Sequence, residues 1–493
     1  MAYMKDADGR RLDSFPAIAK LEAMGARKYD LRSFLLPGEV LPNDGVLDAQ
    51  PIIQRAIDAL MLLVPTVGPV QLYVPEGRYR LNASINWYGH TGVGLAGAGR
   101  FETVLLPWGA FSAIAARIET GYIGPDHNDC VFNDFMVDGA NQVADISGNN
   151  TKVKGIYIMR MHRARFERVI VQNVGATGFG CDFMVSSWFS DCHAYNCGRL
   201  ITGIDSTGAG FGVATGIWIN ESVTFLNCTA IGNRSAGIFV ENSPGRLAGL
   251  PDKPGGYQPF GVRLIGCEMR KNYSGYFASG STAELIQGCQ IGENIYAGIW
   301  VDQNSLTLNG SAFTRIMGNT IWGNGTDNTI ASRGGIVVIK CTNGSPTIQG
   351  NTIIGNHGPG IRVQGSAAGP HMEIRDNLIT MNDQSGILIT SGTGPIGLVI
   401  DNNTCSNNGQ DATATYRDGI TIVNCILNRP ELTRNRCLDT QTTKTQQGGI
   451  AISGAASWTV PRIQGNRVSG NAGTGYANTA TIVTSTYVDT TFS

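Results

Sequence analysis

The chain has 493 residues, and its 37 lysine and arginine residues are balanced by 38 aspartate and glutamate residues, which leaves a net charge of −1. A chain with no excess of either sign lacks the long-range field that recruits nucleic acid or an anionic membrane, so we expect neither partner. The 65 glycine residues are about twice the usual share of a protein, which favours a fold with many tight turns.

The first part of the chain contains one helical segment. Residues 1–28 carry no apolar run typical of a secretory signal, and no window reaches the roughly 18 apolar residues of a membrane span. We therefore expect synthesis in a cytoplasm without a signal peptide, and no membrane insertion. Within segment 29–110, residues 48–64 predict an amphipathic capping helix with Asp48 as its N-cap, followed by the opening strands VQLYVPEGRYRLNASINW. The predicted apolar face of the helix comprises Ile52, Ile53, Ala56, Ile57, Leu60 and Met61.

Residues 111–475 repeat one strand unit. No helical pattern intervenes, and most periods are 21 to 39 residues long, which predicts an all-β fold, a single-stranded parallel β-helix with one unit per turn. Segment 476–493 is rich in threonine and is interpreted as the closure of this solenoid or as an association segment. The glycine-led strands are GIYIM at 155, GFGCD at 178, GIWIN at 216, GIFVE at 237, GYFAS at 275, GIWVD at 298, GIVVI at 335, GIRVQ at 360, GILIT at 386, GITIV at 419 and GIAIS at 449.

A second motif in each unit places a cysteine or asparagine five residues before another asparagine, as in NCTAIGN and GNTIWGN. In a parallel solenoid these first positions stack along the axis, where asparagine amides bond from coil to coil and cysteine fills the same slot as a small apolar group. No Cys/His set has zinc-ligand spacing, so we predict mostly free, buried cysteines and assign no metal site. The predicted ladder is Cys192, Cys228, Cys267, Cys289, Asn319, Asn351, Asn377, Asn403, Asn435 and Asn466.

Two stretches carry a family resemblance. NDGVLDAQPIIQRAID followed by VQLYVPEGRYRL resembles the opening of the pectate-lyase-like superfamily of right-handed parallel β-helices, which are largely polysaccharide lyases, hydrolases, epimerases and phage tailspikes. KDADGRRLDSF, near the start, resembles minor tail proteins from phages of actinobacteria. The resemblance implies an attachment segment at 1–28 that binds phage tail proteins, a virion-tail or extracellular location, a host cell-surface polysaccharide as ligand, and a homotrimer.

The chain also departs from the enzymes of that superfamily. It lacks the paired aspartates followed by HG and RIK tripeptides that mark polygalacturonases, and no arginine and calcium-aspartate set identifies a pectate lyase. No catalytic residue is therefore carried over from those enzymes. Hydrolysis and β-elimination both stay open, because both can use carboxylates on this scaffold. No cofactor is predicted, and calcium stays open wherever several acids meet.

The glycine-led strands also predict a site on the outer face of the solenoid. Strand alternation directs the second and fourth residues after each glycine outward, where they form two rows along the axis. Up to residue 302 the second-position row offers aromatic residues and the fourth-position row offers carboxylates and an amide, whereas beyond 302 both rows become ordinary. We predict that the aromatic rings stack on sugar rings. The predicted substrate-binding residues are Tyr157, Trp218, Asn220, Phe239, Phe277 and Trp300.

Three carboxylates of the fourth-position row, those of Glu241, Asp302 and Asp182, are the predicted catalytic groups. Glu241 and Asp302 would lie two coils apart, roughly 9 to 10 Å, at the upper edge of the separation that inverting glycosidases use. Asp182 would lie at a similar distance on the other side of Glu241. Two glycine-rich insertions, 198–215 and 242–261, are predicted to wall the groove.

Three functions stay open from the sequence. The leading one is a phage tailspike or minor tail protein that binds and depolymerises a host cell-surface polysaccharide. The second is a free microbial polysaccharide hydrolase or lyase. The third is a non-enzymatic adhesive or structural spike, in which the aromatic row is a contact between subunits. A structural interpretation of the two rows also stays open, in which a loop or a neighbouring subunit covers the aromatic residues and the acids are merely solvated.

Overall fold

The structure is a computed structural model that describes residues 27–116, 126–145, 152–202, 206–214, 222–241, 261–279, 284–302, 314–327, 333–339, 346–365, 371–454, 457–479, 481–482 and 487–492. Among these residues the chain forms one α-helix, α1 (Gln50–Val67), and two 3-10 helices, Leu31–Phe34 and Ser206–Gly208. All other regular structure is parallel β-strand, and each strand pairs with the strand one turn later along the chain. The predicted parallel solenoid is therefore confirmed.

Each coil contributes one strand to each of three faces. The first face contains Arg27–Asp30, Val70–Val74, Val93–Gly97, Val131–Asn133, Arg165–Glu167, Ser187–Ser190, Val223–Leu226, Arg263–Ile265, Leu285–Gln287, Arg315–Met317, Thr347–Gln349, Met372–Arg375, Leu398–Asp401 and Glu431–Thr433. The second face contains Asp44–Asp48, Gly77–Leu81, Thr103–Pro107, Met136–Asp138, Ile170–Gln172, His193–Tyr195, Thr229–Ile231, Glu268–Arg270, Gln290–Gly292, Thr320–Trp322, Thr352–Ile354, Leu378–Thr380, Thr404–Ser406 and Arg436–Leu438. The strand Arg462–Ser469 pairs with both faces, and Tyr487–Phe492 pairs with it.

The third face carries the glycine-led strands. Two further short strands, His127–Asn128 and Met161–His162, pair only with each other. Strand pairing starts at Arg27 and continues to Phe492, so it extends beyond the predicted limits 111–475. The third face contains Ile85–Asn86, Ile114–Ala116, Ile156–Ile158, Phe179–Gly180, Phe211–Ala214, Ala236–Glu241, Ser274–Ser279, Ala297–Asp302, Gly334–Ile339, Ile361–Gln364, Ile387–Ile396, Ile420–Asn428, Ile450–Ser453, Ser457–Thr459, Tyr476–Asn478 and Thr481–Ile482.

Helix α1 covers the apolar interior near the N-terminal end of the solenoid, as predicted. The helix begins at Gln50 with Ala49 as its N-cap, so the prediction of Asp48 as N-cap is wrong by one residue. The Asp48 carboxylate still accepts the Gln50 N–H at 3.1 Å and the Asn82 N–H at 3.1 Å, which ties the helix start to a neighbouring strand. Within the described residues no helix is long and apolar enough to cross a membrane. The helix residues buried in the main core are Ile52, Ile53, Ala56, Ile57 and Leu60, with Met61 packed against it.

The predicted internal ladder of cysteine and asparagine residues is confirmed and is buried. The Asn351 Oδ1 accepts from the backbone nitrogen of Asn319 at 3.0 Å and from its Nδ2 at 2.9 Å, and the same pattern continues along the coils to Asn466. The ten described cysteines are free and buried, and burial raises the pKa of Cys192 to about 12, which suits an inert structural thiol. A second buried ladder runs beside the first through Asn233, Asn272, Asn294, Asn324, Asn356, Asn382, Asn408 and Gln446.

Candidate functional site

Strand register brings three of the predicted aromatic residues together on the third face. Phe239 pairs with Phe277, and Phe277 pairs with Trp300, so their side chains follow one another on consecutive coils. The inward neighbours Ile299 and Val301 are buried, whereas Trp300 is half-buried, as the alternation of a strand requires. This segment of the second-position row therefore stands as the sequence predicts.

On the coil before Phe239, the strand that occupies the third face differs from the predicted one. The strand beside Phe239 is Phe211–Ala214, in which Gly212 pairs with Phe239 and Ala214 pairs with Glu241. The second-position and fourth-position rows therefore hold a glycine and an alanine on this coil, where an aromatic ring and an amide were predicted.

The predicted occupants of that coil, Trp218 and Asn220, lie outside the described residues. Two neighbouring candidates, GFGVA at 210 and GIWIN at 216, both have the glycine-led pattern. Core packing decides between them, because the Phe211 ring stacks on the Phe179 ring at 4.7 Å between centroids and continues a column of phenylalanines inside the solenoid. The number of coils is unchanged by this correction, because one strand replaces the other.

Tyr157 stands apart from the other aromatic residues. Between Tyr157 and Phe239 the second-position row holds Gly180 and Gly212, which have no side chain to continue it. The Lys154 ammonium lies 3.7 Å from the centroid of the Tyr157 ring, and the Lys154 stem lies over Gly180. Tyr157 thus takes part in a cation–π contact of its own.

The aromatic cluster, as we call it from here on, consists of Phe239, Phe277 and Trp300 with two tyrosines, Tyr273 and Tyr296. The Phe277 ring stacks on the Trp300 indole at 4.2 Å between centroids and lies 5.0 Å from the Phe239 ring. The Tyr296 ring lies 4.4 Å from the Trp300 ring and 5.5 Å from the Tyr273 ring. Aromatic pairs at these distances stabilise one another beyond the area that they bury.

The rings of the aromatic cluster cover one another more than a bare row would. Phe239 and Tyr296 are each only 5 % exposed, whereas Phe277, Trp300 and Tyr273 are half-buried. The prediction that every ring of the row faces solvent is therefore wrong for Phe239. Part of its cover comes from the first predicted insertion, whose Ala209 packs against it. Residues 242–260, nearly all of the second insertion, lie outside the described residues.

The candidate carboxylates run beside the aromatic cluster. Glu241, Ser279 and Asp302 pair in register on consecutive coils, and Asp182 follows the strand Phe179–Gly180, two coils before Glu241. At about 4.8 Å per coil, the backbone of Glu241 is roughly 9 to 10 Å from those of Asp182 and Asp302. The two aspartates are half-buried, and the side chain of Glu241 lies outside the description. In the described part of the chain, no three His, Cys, Asp or Glu side chains gather as a metal site.

A charged groove on the first face is a second candidate site, which the sequence reasoning missed. The Asp401 carboxylate accepts hydrogen bonds on both oxygens from Arg434, and one from the Thr433 hydroxyl at 2.7 Å. Burial disfavours the charged form, but these bonds outweigh it and hold the pKa of Asp401 below its usual value. The groove has a volume of about 410 Å³ and is lined by Arg375, Val399, Asp401, Glu431, Thr433, Arg434, Arg462, Gln464 and Gly465.

Most charged side chains of this groove form ion pairs with neighbouring charged residues. Arg375 contacts Glu373 at 3.1 Å, and Arg462 lies 4.0 Å from Glu431. Such a network orders neighbouring coils and leaves few charged groups free for a ligand. A signal for it exists in the sequence, since MEIR, LVID, ELT and RIQ each place polar residues at outward positions of first-face strands. The aromatic cluster is accordingly the better candidate for ligand binding.

Comparison with known proteins agrees with this architecture. The Beta_helix family, described as a right handed beta helix region, matches residues 323–490. No curated protein matches the chain. The chain is similar to the pre-mature gene product 12 of bacteriophage phi29, at 14% identity and a TM-score of 0.54, covering 93% of this chain and 57% of that one. It is also similar to the Agl-KA catalytic domain, at 14% identity and a TM-score of 0.50, covering 95% and 69%.

A phage tailspike is also among the similar structures. The Dettilon tailspike protein matches at 12% identity with a TM-score of 0.47, covering 96% of this chain and 71% of that one. Identities this low report on the fold and leave the chemistry of the outer rows to be argued from the residues themselves. The chain is a right-handed parallel β-helix, and the structures that it resembles include a bacteriophage gene product and a tailspike protein.

Proposed function

We propose that this chain is a phage tail protein that binds a host cell-surface polysaccharide on its third face and depolymerises it there. The observation that carries the proposal is the aromatic cluster on consecutive coils, with a row of carboxylates beside it. In this proposal the protein works at the virion tail as a homotrimer, and segment 1–28, which lies almost wholly outside the described residues, attaches it to other tail proteins.

The half-buried rings of the aromatic cluster suit a sugar ligand. Phe277 and Trp300 are stacked on each other, so their orientations are fixed before a ligand arrives and little rotamer freedom is lost on binding. An exposed ring edge or face beside an acid offers a sugar both an apolar contact and a hydrogen-bond acceptor for its hydroxyls. Asp302 lies two positions after Trp300 on the same strand and thus on the same outer face.

Depolymerisation would use Glu241 with Asp302 or Asp182 as partner. In hydrolysis one carboxylic acid protonates the glycosidic oxygen while the other carboxylate activates a water molecule on the opposite face of the sugar. The backbone spacing of roughly 9 to 10 Å leaves room for that water, which favours inversion over retention. In the alternative β-elimination, one carboxylate removes the proton from the carbon next to a carboxyl group. A carbon–carbon double bond then forms as the glycosidic C–O bond breaks, the other carboxylic acid protonates the leaving oxygen, and no water enters.

A free microbial hydrolase or lyase and a purely adhesive spike are the other two candidate functions. The structural interpretation expects a loop or a second subunit to cover the aromatic row. Phe239 is covered within its own chain by Ala209, Ala236 and Phe277, which agrees with that expectation for this ring. The half-buried rings of Phe277 and Trp300 stay available to either role.

Glycan release by the wild-type protein and by a Glu241→Gln variant tests the proposal. We expect wild-type protein to release oligosaccharides from host envelope polysaccharide, and the variant to bind the same material while releasing at least about 100-fold less. Ultraviolet absorbance of unsaturated sugar ends separates elimination from hydrolysis. Glu293→Gln, at an exposed second-face turn, is the matched control. Binding without release by wild type would leave a receptor-binding tail protein and retire the catalytic assignment.

Loss of binding in a second variant tests the site itself. Trp300→Ala removes the indole that contacts Phe277 and Tyr296, so we expect binding of the polysaccharide to weaken at least about tenfold. Trp188→Ala, on the first face, is the control for loss of an outward tryptophan. Equal weakening by both variants would place the binding site elsewhere.

A further inference from the structure

The aromatic cluster is followed along the solenoid axis by arginines. Tyr296 precedes Ala297, and Arg333 precedes Gly334, the residue that pairs with Ala297. Arg333 therefore takes the position of Tyr296 on the next coil. Its stem lies over the following coil, because a Cβ at Gly358 would be 3.1 Å from the Arg333 Cγ. A Cβ at Gly325, on the coil of Arg333 itself, would be 3.3 Å from the same Cγ, so the stem lies between two neighbouring turns.

A second arginine continues the row of Trp300 itself. Trp300 pairs with Val337, and Val337 pairs with Arg362, which is half-buried. Burial lowers the pKa of Arg362, and negative charge on Tyr296 or Tyr416 opposes this effect. The guanidinium therefore lies between one ring of the aromatic cluster and a tyrosine two coils further along the axis.

The third arginine is Arg417, which directly follows that tyrosine. It occupies the position of Arg333 three coils later, and the charges of both guanidinium groups favour the ionised form of the same carboxyl group, that of Asp411. The pKa of Asp411 is lowered first by hydrogen bonds from Thr413, and further by the charges of Arg333 and Arg417. Both arginines are half-buried. Backbone hydrogen bonds keep Gly335, Gly360, Gly386 and Gly419 in register, so Arg333 and Arg417 stand in one column beside the row of Arg362. We call these three residues the arginine patch (Arg333, Arg362 and Arg417).

The arginine patch carries more positive than negative charge. Asp411 is one acid within its field, and Asp418 is another, but burial raises the pKa of the Asp418 carboxyl and its Oδ2 already accepts the Thr421 hydroxyl at 2.8 Å. Among the described residues, the Arg333 Nη1 and the Arg417 Nε are buried and have no hydrogen-bond acceptor. Buried donors without acceptors are costly, and their presence shows that the chain itself does not satisfy either guanidinium group fully.

We propose that the arginine patch binds the anionic substituents of a polysaccharide whose sugar rings stack on the aromatic cluster. The inference rests on the proposed function, and it narrows the ligand to an acidic polysaccharide bearing carboxylate, sulfate or phosphate groups. Guanidinium groups recognise these oxyanions by paired N–H donors, a geometry that neutral sugars cannot exploit. From Trp300 to Arg417 the chain advances four coils, about 19 Å along the axis, a span that suits an oligosaccharide.

Matched polyanions and neutral polymers test the inference. The probes are dextran sulfate against dextran, and polygalacturonate against its carboxyl-reduced form, with binding followed by affinity electrophoresis of the full chain. We expect the wild-type protein to bind at least one polyanion at least about tenfold more tightly than its neutral partner, and added salt to weaken that preference. Which pair shows the preference separates sulfate from carboxylate recognition.

Variants of the arginine patch decide whether it is responsible. The double variant Arg333→Gln with Arg417→Gln should reduce the preference to less than about a third of the wild-type value, because only Arg362 of the patch remains, whereas lysine at both positions should retain more of it, because charge remains while the paired donors are lost. Arg436→Gln, at an exposed position on the second face, is the control and should keep the full preference. Far-UV circular dichroism and melting curves of all variants establish that each one folds.

The outcomes of this test and of the proposed function are separable. Equal binding of charged and neutral polymers, no binding of any polyanion, or an unchanged preference in the double glutamine variant would overturn the arginine patch as an anion site. Binding and release of host envelope polysaccharide, measured in parallel with Trp300→Ala, decide the proposed function independently. A protein that binds the host polysaccharide but not the polyanions keeps its function and loses this inference.

Discussion

Replacing Asn351 by alanine is expected to destabilise the solenoid far more than a typical single substitution. Asn351 is 1% exposed and stands in the middle of the internal ladder. Its Oδ1 accepts from the backbone nitrogen of Asn319 at 3.0 Å and from the Asn319 Nδ2 at 2.9 Å. Its Nδ2 donates to the Ile316 carbonyl at 2.9 Å and to the Asn377 Oδ1 at 2.9 Å. The substitution therefore removes four hydrogen bonds from the interior.

The loss of stability depends on which hydrogen bonds the partners of Asn351 keep after the substitution. The Asn377 Oδ1 keeps the Asn351 backbone N–H at 3.0 Å, and the Asn319 Nδ2 keeps the Ile286 carbonyl at 3.0 Å. The backbone N–H of Asn319, in contrast, loses the acceptor that it has in the ladder. One buried donor left unsatisfied costs about 1–3 kcal/mol, and each other bond lost costs about 1 kcal/mol, so we expect a loss of about 4–6 kcal/mol in the free energy of unfolding.

Urea denaturation followed by far-UV circular dichroism measures this loss. Gln287→Ala is the matched control, since Gln287 is an exposed amide on an outer row of the first face. We expect the control to change the free energy of unfolding by less than about 0.5 kcal/mol. If Asn351→Ala costs no more than Gln287→Ala, the amide ladder does not stabilise the coils and its regular geometry has another origin.

Two further substitutions test other parts of the scaffold. Asp401→Asn should cost about 2 kcal/mol at pH 7, because it weakens the bonds from Arg434. Since the folded pKa of Asp401 is lowered, its contribution is present above the unfolded pKa of about 4 and is lost as the pH falls through the folded pKa. The difference between wild type and variant in urea denaturation should therefore shrink as the pH falls below about 4, and a constant difference would contradict this. Gly298→Ala should cost about 1–3 kcal/mol, because the added Cβ would lie 2.7 Å from the Gly335 carbonyl oxygen and 2.8 Å from the Ile321 Cγ2; an unchanged melting curve would contradict that close approach.

The architecture was predictable because its signals are local and repeated. From Gly155 to Gly449 a glycine opens the third-face strands at positions where a Cβ would strike the next coil, as at Gly298, and this requirement recurs once per turn. The asparagine ladder repeats for a similar reason, since each amide is the partner of the next. A repeated physical requirement leaves a period in the sequence, and a period is enough to define a solenoid.

The coil before Phe239 could not be assigned in this way. GFGVA at 210 and GIWIN at 216 satisfy the same local pattern, and the choice between them depends on the contact of Phe211 with Phe179, which lies 32 residues earlier. The same limit applies to burial, because the cover of Phe239 by Ala209 depends on how a long insertion folds back. Contacts between coils carry information that strand alternation within one coil does not contain.

The charged groove and the arginine patch also depend on contacts between coils, which strand alternation within one coil does not predict. Arg434 lies 33 residues after Asp401, and no local sequence pattern predicts that these two residues form hydrogen bonds with each other. Arg333 and Arg417 are farther apart still, yet they influence the same acid, Asp411. Such pairings become visible only when the coils are in register, because each step along the axis spans a whole repeat of the chain.

The third face separates stability from recognition. Its inward residues stay isoleucine or valine across the coils that carry Trp300, Val337 and Arg362, so the interior is the same where the outer row changes from aromatic to cationic. The packing of the interior does not require this change in the outer row. We therefore attribute the change to a ligand that contacts the surface. A sugar chain with apolar ring faces and anionic groups would meet both kinds of side chain in sequence along one axis. We therefore expect the ligand on the third face and not in the charged groove of the first face, where most charged groups are paired with one another.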